Sequence, residues 1–173
     1  MSTESLVTLV HAFITSRLDN GNALLFGVNK KHIKKLQHIQ NIAARLVTGT
    51  RKIEHITPVL KRLHWLPVEQ RIQYKVLLIT YKCLNDLAPV YLSELISKHK
   101  PGRNLRSRTK NLLIVPRYNL ETYGKSAFSF AGPHLWNSLP DNLRNHMNDS
   151  ENNVKIDGFK KNLKTYLFDL AFN

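Results

Sequence analysis

Cysteine is almost absent from this sequence: Cys83 is the single one in 173 residues. No disulfide framework can therefore brace the chain, and a reducing intracellular compartment fits, nuclear or cytoplasmic. Long apolar runs are absent too. Nothing approaches the roughly 18 consecutive apolar residues of a membrane-spanning helix, so no membrane partner is expected. The opening, MSTESLVTLVHAF, has no basic n-region and no small-residue cleavage site, so no signal peptide is expected. The histidines are scattered, and no pair at ligand spacing is matched by another pair, which speaks against zinc. The acidic residues form no metal-binding cluster. Gly-Lys-Ser at 124–126 lacks the Gly-rich frame of a phosphate-binding loop. No catalytic constellation is legible, so neither a self-contained enzyme, nor a cofactor, nor a small-molecule substrate is expected.

Acidic residues are also scarce. The 12 Asp and Glu face 26 Lys and Arg, for a formal net charge of +14. The excess is segregated: Lys30 to Lys110 holds 18 Lys and Arg against 4 Asp and Glu, while the flanking segments nearly balance. A concentrated basic region points to a polyanion, most often nucleic acid. The alternative is a basic surface kept for solubility, which needs no segregation. The rest of the composition is ordinary, with an apolar fraction of 42%. The length suits about one domain with a real core.

Apolar periodicity predicts a mostly α fold, a bundle-like helical module. ESLVTLVHAFITSRLDNG carries Leu6, Leu9, Val10, Phe13 and Ile14 at helical spacing, with Gly21 as a stop. A second helix, KKHIKKLQHIQNIAARLVTG, is framed by Asn29 as N-cap and Gly49 as stop. On its wheel Ile33, Leu36, Gln40, Ala43, Ala44 and Val47 form one stripe. Lys31, Lys34, Lys35, His38 and Arg45 lie opposite within an arc of about 100°, with Ile42 intruding. This is either an ordinary amphipathic surface helix or a helix laid along phosphates. Thr57-Pro58 predicts another start, a hydroxyl N-cap followed by proline at the first helical position. Leu66, before Pro67, is pushed out of helical geometry and ends that short helix. Pro67 then opens a longer one to residue 87. It is apolar around most of its wheel except for a strip of Arg71, Lys75 and Lys82, and so reads as the central core helix. Trp65 at the corner reads as a packing anchor, with a stacking platform for a base as the alternative.

APVYLSELI predicts a short Pro-initiated helix. SKHKPGRNLRSRTK, residues 97–110, has Lys98, Lys100, Arg103, Arg106, Arg108 and Lys110 and no acid. Pro101-Gly102 make it a loop. It is either a phosphate-binding arm or a disordered linker or nuclear-import patch. NLLIVPR predicts a short extended segment near 111–117. The next stretch is dense in aromatics, Tyr118, Tyr123, Phe128, Phe130 and Trp136, which read as core, with Gly132-Pro133 breaking any long helix. DNLRNHMNDSENN reads as a loop. DGFKKNLKTYLFDLAF reads as an amphipathic helix capped by Asp157, with Phe159, Leu163, Leu167 and Leu170 on one stripe. The expected organisation is a helical thumb-like region at 1–97, a basic loop at 98–110, and an aromatic-rich segment with a final helix at 111–173.

Several stretches together carry a resemblance. AFITSRLDNGNALLFGV, then KLQHIQNIAARLVTGTRKIEHITPVLKRLHWLPVEQRIQYKVLLITYKCLNDLAPVYLSELI, RNLRSRTKNLLIVPR, LETYGKSAFSFAGPHLWNSLP and FKKNLKTYLFDLAF occur in that order. This set resembles the C-terminal region, thumb and downstream, of the reverse transcriptase polyprotein of non-LTR (LINE, jockey-like) retrotransposons. The resemblance runs over residues 6–172, and AARLVTGTRK, HITPVLKRLHWLPV and LWNSLP are its distinctive motifs. The family enzyme is an RNA-directed DNA polymerase that copies element RNA at a nicked target. The resemblance therefore implies contact with RNA or an RNA–DNA hybrid, and with the palm and fingers of a parent polymerase. The family's chemistry needs palm aspartates around Tyr-x-Asp-Asp. No such motif occurs here, so no catalytic residue is carried over. The family's endonuclease domain has no counterpart. The chain is expected to be a remnant of such an element, or a reading frame opened at an internal methionine. It departs from the family's pattern at Asp19-Asn20-Gly21-Asn22, where an aromatic and a cysteine are common, and this weakens any metal reading further.

Residues and resemblance converge on a nucleic-acid-binding fragment of a retrotransposon reverse transcriptase, inactive alone. Its expected phosphate contacts are Lys31, Lys34, Lys35, Arg45, Arg51, Lys52, Arg71, Lys75, Arg103, Arg106, Arg108 and Lys110. The alternative is a non-catalytic protein-interaction or scaffold domain retained from an element, whose apolar helices dock a partner. A sequence-specific DNA-binding domain fits less well, since the turn at 65–67 is apolar rather than base-reading. Separated from its palm, such a module is expected to expose an apolar face, with Leu24, Leu25 and Phe26 within 1–29 as candidates.

Overall fold

The structure is a computed structural model that describes residues 3–99, 111–118, 124–145 and 152–173. It is mostly α-helical, as the periodicity predicts. The chain divides into two compact units, Met1–Ile72 with Leu167–Asn173, and Gln73–Tyr166. The helices Val68–Leu84 and Asn152–Phe172 each lend residues to both.

In the first unit, α1 (Thr3–Val10) continues through a π-helical turn at His11–Thr15 into α2 (Ser16–Asp19). A 3₁₀ turn at Asn22–Leu25 follows. α3 (Lys30–Thr48) begins where Asn29 Oδ1 accepts the Lys31 N–H at 2.9 Å. It ends at Gly49, whose φ of +68° suits a residue without a Cβ and whose N–H returns to Arg45 O. Both boundaries are those the sequence predicts. α4 spans Ile56–Arg62. It starts before Thr57, so Thr57 is not its cap and Pro58 sits third rather than first. Proline is tolerated there because the first-turn N–H groups have no intrahelical acceptor to lose.

α4 ends in a Schellman turn. The Trp65 N–H reaches Leu60 O at 3.0 Å and the His64 N–H reaches Lys61 O at 3.1 Å. His64 holds the left-handed position, with φ +53°. α5 (Val68–Leu84) follows at once, and Gln37 Oε1 accepts the Val68 N–H at 2.8 Å. The Leu66 carbonyl accepts from Gln40 Nε2 at 2.8 Å and from Arg71 Nε at 2.9 Å. Trp65 is buried with Val10, Ala43, Ala44, Val47, Val59 and Leu60. His11 stands edge-on to its ring at 5.5 Å. The corner between α4 and α5 is held by packing and by bonds to its own backbone, so Trp65 is an anchor and not an open stacking surface.

In the second unit, α5 buries Val76, Leu77, Thr80, Tyr81 and Cys83, as expected of a core helix. α6 (Val90–Ser93) is short, with Pro89 before it. Segment 111–118 forms an isolated antiparallel bridge, Leu113 with Lys98, instead of a strand. The Asn137 side chain fixes it, accepting the Leu113 N–H and donating to Leu113 O, both at 2.9 Å. Trp136 Nε1 donates to Asn111 O, also at 2.9 Å. α7 (Phe128–Ser138) contains Pro133, where the sequence predicts a break. Proline inside a helix costs about 3 kcal/mol. Burial of Ala131, Gly132, Pro133 and Trp136 outweighs that. A Cβ on Gly132 would lie 2.8 Å from Thr80 Oγ1, so the glycine permits close approach of α7 to α5. α8 (Asp141–Asn145) and the first two residues of α9 (Asn152–Phe172) occupy positions that read as loop. Asp157 lies inside α9 rather than at its cap, and receives Lys160 Nζ at 2.8 Å. Phe159 and Leu163 are fully buried, and Phe159 stacks on Tyr81 at 4.1 Å.

Candidate nucleic-acid interface

Periodicity alone sets the two faces of α3. Gln40, Ala43, Ala44 and Val47 are buried, with Ile33 and Leu36 half-buried beside them. Lys30, Lys31, Lys34, Lys35 and His38 consequently face solvent. None of the five joins an ion pair among the described residues. No Asp or Glu occurs between residues 30 and 53.

This arrangement works against the helix that carries it. The lysines crowd the N-terminal turns, where the macrodipole is already positive. Lys30 and Lys34, and Lys31 and Lys35, are like charges four residues apart, which is destabilising. The first turn has no acidic residue to offset them. A helix tuned for its own stability would carry carboxylates there.

Not every expected contact joins this surface. Arg51 and Lys52 are exposed just beyond α3. Arg45 is engaged internally: its guanidinium donates to Arg51 O at 2.5 Å and Glu54 O at 2.7 Å, holding that turn in place. Arg71 is engaged too. It pairs with Asp19 at 2.7 Å while its Nε serves Leu66 O, and Asn22 Nδ2 donates to the other Asp19 oxygen at 3.3 Å. A helical wheel shows which way a side chain points but not which loop carbonyls wait for it, so both arginines read as free cations in the sequence. Lys75 is exposed on α5. Arg103, Arg106, Arg108 and Lys110 lie outside the described residues. The structure therefore groups Lys31, Lys34 and Lys35 with Lys30, which the expected set leaves out, on the first turns of one helix.

A second feature shares the outer face of α3. Ile39, Ile42 and Leu46 are 45%, 53% and 56% exposed. Ile42 alone stands out on the sequence wheel, although the i, i+3, i+7 spacing of all three marks a continuous apolar strip. Phe13 and Leu24 are also exposed, whereas Leu25 and Phe26 are half-buried.

Reactive chemistry is muted. An open depression of about 320 Å³ is lined by Thr50, Glu54, His55, Pro58, Val59 and Arg62. Its hydroxyl, on Thr50, is bonded to Thr48 Oγ1 at 2.6 Å. Burial pushes the Cys83 thiol up from its ordinary value, which keeps it protonated and poorly nucleophilic. Among the described residues no group of three or more His, Cys, Asp or Glu could hold a metal ion, and no helix is long and apolar enough to cross a membrane. Set against known protein families, curated proteins and solved structures, the chain finds no match.

Proposed function

We propose that this chain is a non-catalytic nucleic-acid-binding module, of the kind that follows the palm in a non-LTR retrotransposon reverse transcriptase. Its seat for phosphates is the start of α3. One observation carries the reading: four exposed, unpaired lysines stand where they weaken their own helix. A binding surface accounts for that placement, and solubility does not require it. RNA or an RNA–DNA hybrid is the proposed ligand, the palm and fingers of a parent polymerase the proposed neighbours, and the nucleus or cytoplasm the proposed address.

The test is binding of the purified chain to a labelled structured RNA and a matched DNA duplex at about 50 and 200 mM salt. Lys30, Lys31, Lys34, Lys35, Arg51 and Lys52 are six exposed cations. If all six meet phosphates, affinity should drop about a thousandfold over that range. A folded monomer that binds neither ligand defeats the proposal.

A second reading, a protein-docking or scaffold domain, is favoured by the exposed strip Ile39, Ile42 and Leu46. The two separate on charge. Lys31→Glu, Lys34→Glu and Lys35→Glu together abolish binding under the first reading and leave a docked partner in place under the second, where Ile42→Asp removes it.

A further inference from the structure

The aromatics after residue 117 read as core in the sequence, yet part of them is at the surface. Tyr118 is 37% exposed. Its ring stands edge-on to Phe130, with centroids 4.9 Å apart and planes at 83°. Phe130 in turn stacks against His134, one turn further along α7, at 5.2 Å and 13°. His134 is exposed, and its other face meets no ring among the described residues.

The group is held in place rather than loosely draped. Trp136 and Asn137 of α7 bond the extended segment at Asn111 and Leu113, and that segment delivers Tyr118. Gly124 then passes directly beneath Tyr118: a Cβ there would lie 2.4 Å from Tyr118 Cβ. Arg117, exposed and without an ion-pair partner among the described residues, adds a cation next to Tyr118 in the chain.

From this geometry we infer that His134, backed by Phe130 and flanked by Tyr118, is a stacking platform for an unpaired base, with Arg117 on the adjoining phosphate. The inference rests on the nucleic-acid reading above and narrows it to single-stranded substrate at this site. In a duplex both faces of each base are already covered by neighbours, whereas an unpaired base offers a free π-face that any flat ring can take. A half-exposed aromatic group with an exposed cation one residue away in the chain suits that ligand whatever the base.

The experiment compares a single-stranded RNA oligomer carrying 2-aminopurine with a duplex of the same length, on the full chain. His134→Leu should weaken single-strand binding by about tenfold or more, and abolish the quenching of 2-aminopurine, while duplex affinity stays as in the wild type. His134→Phe keeps a flat ring and should retain both affinity and quenching. Single-strand binding unchanged in His134→Leu overturns the platform and leaves the module's nucleic-acid binding standing, as does an equal loss in His134→Phe. Failure of the wild type to bind either oligomer removes the nucleic-acid reading and the platform with it. Should His134→Leu lose its fold by circular dichroism, Tyr118→Leu is read by the same criteria.

Discussion

A hydroxyl buried without a partner has given up water and gained nothing in return. Tyr81 has one. The residue is buried, and its OH meets no donor or acceptor among the described residues. The core uses its ring, which lies nearly parallel to Phe159. Tyr81→Phe keeps the ring and removes the orphan, so it should stabilise the chain by about 1 kcal/mol, seen as a higher urea midpoint at unchanged slope. Burial also raises the Tyr81 phenol and the Cys83 thiol above their ordinary values of 10.0 and 9.0. Both groups hold their protons more tightly folded than unfolded. Their contribution to stability is therefore complete below the unfolded values and is lost as pH climbs through the folded ones. The double variant Tyr81→Phe, Cys83→Ala should show a shallower fall of Tm above about pH 9 than the wild type. An identical fall in both would assign the alkaline loss to other groups.

At the scale of elements, α3 was legible from end to end because its signals are local. Asn29 and Gly49 mark its limits, and 3.6-residue periodicity sorts its faces. The α4–α5 corner was legible only in part: Pro67 disfavours a helical backbone at Leu66, but α4 already ends at Arg62, where His64 takes the left-handed position of a Schellman turn that the sequence reading missed. The helix through Pro133 was not legible. Its survival depends on what α7 buries against Thr80 and Ile96, a tertiary matter that no window of sequence contains. The candidate site divides along the same line. Lys31, Lys34 and Lys35 followed from periodicity, whereas the capture of Arg45 by the carbonyls at 51 and 54 followed from how a loop folds back. The placement of the lysines also yields a prediction for α3. Replacing Lys31, Lys34 and Lys35 with Glu puts carboxylates at the positive end of the helix dipole and turns the Lys30–Lys34 repulsion into an attraction, while the pair at 31 and 35 stays like-charged. At low salt the variant should be more stable than the wild type by about 1 kcal/mol or more while losing nucleic acid. A variant that loses both stability and binding would mean that the lysines serve the fold.

Over the whole molecule the dominant quantity is the formal charge of +14. Arg71–Asp19, Arg144–Asp141 and Lys160–Asp157 are ion pairs among the described residues, but 12 Asp and Glu cannot balance 26 Lys and Arg however they pair. Self-repulsion of this kind weakens the compact state, and salt relieves it as the screening length shrinks from about 30 Å at 0.01 M to about 8 Å at 0.15 M. Tm should therefore rise with NaCl over that range, the opposite of a fold held by surface ion pairs. A polyanion bound to the folded state adds a second, concentration-dependent rise by mass action. Heparin at micromolar levels should raise Tm where NaCl at the same ionic strength does nothing. The triple Glu variant separates repulsion from binding. It carries six fewer units of positive charge, so its Tm should depend less on NaCl, and its heparin shift should vanish if the start of α3 is where the polyanion sits. A heparin shift that survives intact would move the seat away from α3, to Lys75 or to the basic run at 98–110.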